Sequence, residues 1–167
     1  MDIQSITSYK STEIHVNTSH YAMRIEYNYL PKEFEDVENI IQDWRKLIKT
    51  TDFTLGQFVD AFEKKFGKAV AAEHCISTNN GTDALILALK SLGIGPGDEV
   101  ITVANTFYAT VGAIVAVGAT PVLVDCDGRF QIDLNKIEGA INGNTKAIVP
   151  VHWGGASPEI EKIGAIC

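Results

Sequence analysis

The stretch "EVITVANTFYATVGAIVAVGATPVLVDC", Glu99 to Cys126, decides the fold. "EVITVA" (99–104) and "TPVLVDC" (120–126) are short, rich in β-branched residues and lack polar alternation, which predicts strands buried on both faces. Between them "TFYATVGAIVAVG" (106–118) is too long for such a strand and ends on Gly118, so it reads as a helix that is apolar nearly all round and therefore buried. Two apolar strands joined by a helix imply a crossover connection and parallel pairing.

The same alternation continues outward. Downstream, "DLNKIEGAI" (133–141) reads as a helix and "KAIVPVHW" (146–153) as a strand, and a further helix starts at Ser157 or Pro158. That helix runs to Cys167 without a stop signal, as if the domain were cut in its middle. Upstream, "GIGPGDE" (93–99) ends a helix at Gly93 and turns through Pro96 and Gly97. The helix it ends, "TDALILALKSL" (82–92), is again apolar on nearly every side, and "HCIST" (74–78) before it reads as one more strand. The expected architecture is α/β, a mainly parallel sheet with helices on both faces.

Two amphipathic helices precede this alternation. One runs from Pro31 with the stripe Phe34, Val37, Ile40, Ile41, Trp44, Leu47 and Ile48; the other, from about Leu55 or Gly56 to Phe66, carries Phe58, Val59, Phe62 and Phe66 as core packing. Residues 1–30 show no clear period and are expected to be a loose lead-in to a single domain over 31–167.

Composition narrows the partners. With 167 residues and 46% hydrophobic content the chain is long enough for one real core. A net charge of −7, with lysines and arginines scattered singly, offers no footprint for nucleic acid or an anionic membrane surface. No apolar run is long enough to span a bilayer, and the start "MDIQSITSYKSTEIH" lacks the plan of a secretory signal, so the expected setting is cytoplasmic. Cys75, Cys126 and Cys167 are odd in number and far apart, which fits reduced thiols. Small molecules are the expected partners.

The chemistry-bearing positions lie at the joints. Asn80-Gly81-Thr82 opens the helix at 82, where unpaired amides and the dipole make an anion site if an anion is supplied; Asn80 or Thr82 also reads as a plain N-cap. Phe107 stands at a helix start just past the strand 99–104, either as packing or as a flat face for a ring. His152 falls at the C-terminal end of a predicted parallel strand, where open sheets place ligands. "GIGPGD" follows a helix instead of opening one and is no dinucleotide fingerprint. Asp125 and Asp127 begin like a calcium loop that Arg129 breaks; they read as a strand-end turn, with an Asp-x-Asp metal pair of a glycosyltransferase as the rival. The four histidines have no zinc spacing, and no metal site is expected.

In order, "FTLGQFVDAFEKKFG", "NNGTDALILALKSLGIGPGDEVI", "NTFYATVGAIVAVGATPVLVDCD", "IDLNKIEGAI" and "TKAIVPVHWGG" resemble the DegT/DnrJ/StrS family of sugar aminotransferases, from about Tyr27 onward. The resemblance implies a pyridoxal-phosphate (PLP) enzyme of fold type I, seen over the N-terminal part of its large domain. It implies that Gly81, Thr82 and Asp83 receive the cofactor phosphate, that Phe107 stacks on the pyridine ring and that His152 lies on the substrate side. "FGKAVAAEHCI" lacks the tyrosine and glycine usual in the family, and "HWGGASPEI" the usual glutamine. The resemblance places the lysine that holds the cofactor and the aspartate that pairs with its ring nitrogen later than any residue here, so no catalytic residue is expected within these 167 and the chain alone should not transaminate. The implied substrates are a nucleotide-linked keto sugar and an amino-acid donor, glutamate, and the implied assembly is a homodimer. Alternatives are a PLP-dependent sugar dehydratase of the same family, with histidine in place of the lysine, and a sugar-nucleotide-binding or glycosyltransferase α/β domain.

Overall fold

The computed structural model describes residues 29–167, so nearly all of the lead-in over 1–30 lies outside the described residues. The chain divides into two compact units, Met1–Phe62 and Glu63–Cys167.

In the first unit the helix expected from Pro31 is two: α1, Leu30–Glu33, and α2, Val37–Thr50. The break falls at the acidic run Glu33, Glu35, Asp36, where Asp36 becomes the N-cap position of α2 and takes the Asn39 side-chain amide on its carboxylate at 2.6 Å. An aspartate before an apolar-periodic run favours a new helix start over continuation. The stripe of α2 forms as its spacing predicts, but Val37, Ile40, Trp44 and Ile48 are exposed, Trp44 at 65%. The chain leaves α2 through Thr51 in the left-handed region, and Asp52 then accepts the Gln57 amide at 2.9 Å to start α3, Gln57–Ala69. A Cβ at Gly56 would run into the Asp52 carboxylate and push it away from the Gln57 amide. Phe58, Phe62 and Phe66 of α3, expected as core, are exposed.

The second unit is built on a three-stranded parallel sheet in the order β2-β1-β3, with β1 Glu99–Val103, β2 Thr120–Val124 and β3 Thr145–Val149. β1 lies between its two partners and its residues 100–102 are 0% exposed. Its side chains alternate between two cores, as the strand period requires. Val100 joins Leu89, Ile94, Ala113, Ile114, Val117 and Ala119 under α4, Gly81–Ser91, and α5, Tyr108–Ala116. Ile101 and Val103 join Val124, Ile132, Ile137 and Ile163 under α6, Leu134–Ala140, and α7, Ile160–Ile166. The handedness rule explains the layering. β1 to β2 steps one way across the sheet and β2 to β3 steps back past β1, so right-handed crossovers must put α5 and α6 on opposite faces.

Two expectations are corrected. Residues 74–78 form no strand: none of them pairs with the sheet, Ile76 is 81% exposed, and the Ser77 amide donates to the Glu63 carboxylate at 2.6 Å instead of to a ladder. The helices α4 and α5 are buried on one face only; Leu87 and Val115 on their outer sides are exposed because no further layer among the described residues covers them. The turn chemistry holds. Gly118 has φ +85° and a Cβ there would stand 2.9 Å from Pro96, so the end of α5 locks against the turn that feeds β1. All three cysteines are free. No helix among the described residues is long and apolar enough to cross a membrane.

Candidate functional site

Both α4 and α5 hand the chain to the start of a strand, so both run against the strands and begin at the sheet's C-terminal edge. They pack side by side over one core. The order β2-β1-β3 puts the switch of direction between β1 and β3, the place where open sheets of this order take ligands. Phe107 follows β1 and His152 follows β3, so the two candidates lie on the loops that leave either side of that crevice.

At the start of α4, Asn80 is the N-cap in extended conformation, and its Oδ1 accepts the Asp83 amide at 2.9 Å. Its Nδ2 donates to the Asp83 carboxylate at 3.0 Å, and the Thr78 hydroxyl donates to its carbonyl at 3.0 Å. The cap reading is therefore realised, and it is incomplete as satisfaction of the helix end. It engages only the third amide. The amides of Gly81 and Thr82 and the Thr82 hydroxyl have no partner among the described residues. A Cβ on Gly81 would meet nothing within 4 Å, so the space over these amides is open. Donors without acceptors, at the positive end of a helix dipole and in open space, suit an anion with several oxygens. Asp83 has its carboxylate on Asn80 and serves the turn that presents the donors.

Phe107 is the N-cap residue of α5 and 64% exposed, its ring beside Tyr108 with centroids 4.3 Å apart and planes tilted by 50°. It belongs to neither core, which leaves a face for a planar ligand. Below it the Thr106 and Thr110 hydroxyls pair at 2.8 Å, closing the first turn of α5. β3 stops at Val149, short of the predicted strand end, and His152 is an exposed residue at the entry to a tight turn, Trp153–Gly155. Its imidazole has no partner among the described residues.

The Asp-x-Asp pair is a turn. Asp125 accepts the Cys126 amide at 2.9 Å and Lys136 at 3.3 Å, and these hold its carboxyl below the usual aspartate range. For Asp127 partial burial works against ionisation, but the amides of Arg129 and Gln131 and the Arg129 guanidinium outweigh it and the carboxyl is again lowered. Carboxylates so engaged offer no joint cation site, and among the described residues no group of three His, Cys, Asp or Glu side chains converges to hold a metal. Sequence reasoning missed Gln131, which is buried at 2% and bonds across to the loop after β3; a lone glutamine between Phe130 and Ile132 carries no pattern that would reveal it.

A doubly wound parallel sheet with bare helix-start amides and an aromatic platform on one edge defines an α/β protein built to take a phosphorylated, ring-bearing ligand. Comparison with known proteins identifies which. Residues 35–167 match the model of the DegT/DnrJ/EryC1/StrS aminotransferase family, and the chain belongs to that family. It is 44% identical over 130 residues to a dTDP-3-amino-3,6-dideoxy-alpha-D-galactopyranose transaminase of Aneurinibacillus thermoaerophilus, covering 77% of this chain and 36% of the relative. It is 40% identical over 133 residues to a 3-oxo-glucose-6-phosphate:glutamate aminotransferase of Bacillus subtilis, covering 79% of this chain and 30% of that one. A Bacillus subtilis structure solved with its cofactor PMP superposes with a TM-score of 0.77 at 40% identity, covering 79% of this chain and 31% of the other. The fold is thus that of the PLP-dependent aminotransferases, and the chain spans about a third of the length of the curated relatives it matches.

Proposed function

We propose that the protein to which these residues belong is a PLP-dependent transaminase that moves an amino group, from glutamate, onto the keto group of a nucleotide-linked sugar. The observation that carries this reading is the start of α4, where the Gly81 and Thr82 amides lie bare in open space at the ligand edge. In the proposed site these amides and the Thr82 hydroxyl hold the cofactor phosphate, Asn80 and Asp83 brace the turn that aims them, and Phe107 stacks on the ring. When bound, the cofactor supplies an electron-poor ring that stabilises negative charge at the carbon where the amino group is exchanged.

This chain's own residues bind and orient; none of them is assigned the proton transfer. His152, on the far side of the crevice from Phe107, is assigned to the sugar side. Residues 31–167 form the N-terminal part of the cofactor-binding domain in this reading, and the working protein is a cytoplasmic homodimer. The names of the relatives support this reading: one is a transaminase of a dTDP-linked sugar, and another takes an oxo sugar phosphate with glutamate as partner. The test is titration of the full-length protein with PLP, followed by the visible absorbance of the bound cofactor, against pyridoxal, which lacks the phosphate. Much tighter binding of PLP than of pyridoxal supports the reading; equal affinity, or no binding of either, refutes it.

A further inference from the structure

Gln131 is a buried amide whose hydrogen bonds leave its own loop. Burial of an amide costs stability unless its donors are met, so the partners define what the side chain is for. With the nitrogen turned towards the closer pair of carbonyl oxygens, it donates to Val151 O at 2.9 Å and Ala156 O at 3.3 Å. In the reverse orientation the nitrogen lies 3.3 Å from Trp153 O and 3.5 Å from Arg129 O. Either way the amide is bonded to the segment between Val151 and Ala156, the segment that carries His152.

Val151 anchors the start of that segment against the core under α6 and α7. Three local bonds shape it, from Trp153 N to Val151 O, Gly155 N to His152 O and Ala156 N to Trp153 O, at 3.0 to 3.1 Å. Gly154 and Gly155 both take left-handed backbone, φ 61° and 81°, and curl the chain. Gln131, by contrast, stands on a firm turn. Asp127 Oδ1 accepts the amides of Arg129 and Gln131 at 2.8 and 3.0 Å, the Asp127 amide donates to the Gln131 carbonyl at 2.8 Å, and Arg129 reaches on to Glu159 at 3.1 Å. β2 and β3 lie on opposite sides of β1, so this amide ties together loops whose strands never pair.

We propose that Gln131 is a positioning residue: it fixes the Val151–Ala156 loop against the Asp127–Gln131 turn and thereby sets where His152 stands at the crevice. Its importance for the reaction rests on the assignment of His152 to the substrate side; the geometric claim does not.

The test uses the full-length protein with Gln131→Met, which keeps the bulk and removes the donor, and Gln131→Asn, which keeps an amide on a shorter stem. Hydrogen exchange of residues 152–156 and the imidazole NMR signals of His152 are read in each, with PLP absorbance as the check of the α4 site. Expected are exchange about tenfold faster at 152–156 in Gln131→Met, displaced His152 signals, partial return of both in Gln131→Asn, and unchanged PLP binding. Unchanged exchange and His152 signals in a folded variant overturn the proposal, as does acceleration spread evenly over β1 and α4, which marks a merely structural role. Should Gln131→Met not fold, Gln131→Asn decides alone, by whether any acceleration is confined to 152–156. Failure of wild-type PLP binding removes the transaminase reading and leaves the loop result standing.

Discussion

Substitutions at two neighbouring positions, Thr82 and Asn80, separate the structural and the ligand-binding work of the α4 start. Thr82→Val removes a hydroxyl that has no partner among the described residues, from a half-buried position, and keeps the shape. Folding should therefore change by no more than about 0.5 kcal/mol. Against a phosphate dianion the same hydroxyl makes a charge-assisted bond, whose loss costs roughly 1.5–3 kcal/mol. That is roughly a 10- to 150-fold rise in the dissociation constant of PLP, with pyridoxal affinity held. Asn80→Ala has the opposite profile. It deletes the cap on the Asp83 amide and the contact with the Asp83 carboxylate, so the protein should lose about 1 kcal/mol of stability, while the bare amides of Gly81 and Thr82 remain and PLP binding falls less than in Thr82→Val. Urea denaturation and PLP titration of the full-length protein measure the two quantities independently. If Thr82→Val leaves PLP affinity unchanged, or weakens pyridoxal as much as PLP, the phosphate does not sit at this helix start.

Further outcomes follow from the same geometry. Gly81→Ala adds a methyl into open space, so denaturation midpoints should hold within about 0.5 kcal/mol while PLP binds more weakly because the methyl crowds the approach to the amides. Gly118→Ala forces an L side chain into φ +85° against Pro96 and should cost about 2–4 kcal/mol, read as a lowered urea midpoint. Ile137→Ala, at a fully buried position in the α6 core, should cost about 2–5 kcal/mol by the same assay. Asp127 has its carboxyl lowered from the ordinary 3.8, so its contribution is present above pH 3.8 and lost as pH falls through the still lower folded value; Asp127→Asn should flatten acid denaturation in that window.

What was legible in the sequence follows from which interactions are local. β1, α5 and β2 were readable because each carries its own signal: apolar β-branched runs, an apolar helix too long for a strand, and glycines such as Gly118 whose positive φ marks the joint. The segment 74–78 holds only Ile76 and Thr78 as β-branched residues, and its Ser77 amide goes to the Glu63 carboxylate of α3, a partner that only the assembled fold supplies. The helix break at Asp36 was local and visible in principle, since an aspartate ahead of an apolar run is a start signal, but the continuous stripe from Phe34 to Ile48 masked it. Burial of α2 and α3 was misjudged for the opposite reason: periodicity says which face is apolar, never what covers it, and Trp44 and Phe62 have that face exposed.

The site divides along the same line. Gly81, Thr82 and Phe107 could be proposed from sequence because a helix that feeds a parallel strand, as α4 and α5 do, must begin at the ligand edge, and any residue there inherits the bare amides or the open position. Asn80 does not compete with that role, because a cap fills one acceptor position and an N-terminus presents several donors; the fold uses the side chain to fix the turn and leaves the first two amides free. Gln131 was illegible because its bonds reach across 20 or more positions to a loop leaving another strand, from Gln131 to Val151 and Ala156, and no spacing rule connects those residues until the crossover through α6 has carried the chain from β2 to β3. A positioning residue of this kind belongs to the second unit's tertiary structure, whereas the phosphate donors belong to a single turn of a single helix, which is why Gly81–Thr82 should tolerate transfer of the local sequence and Gln131 should not.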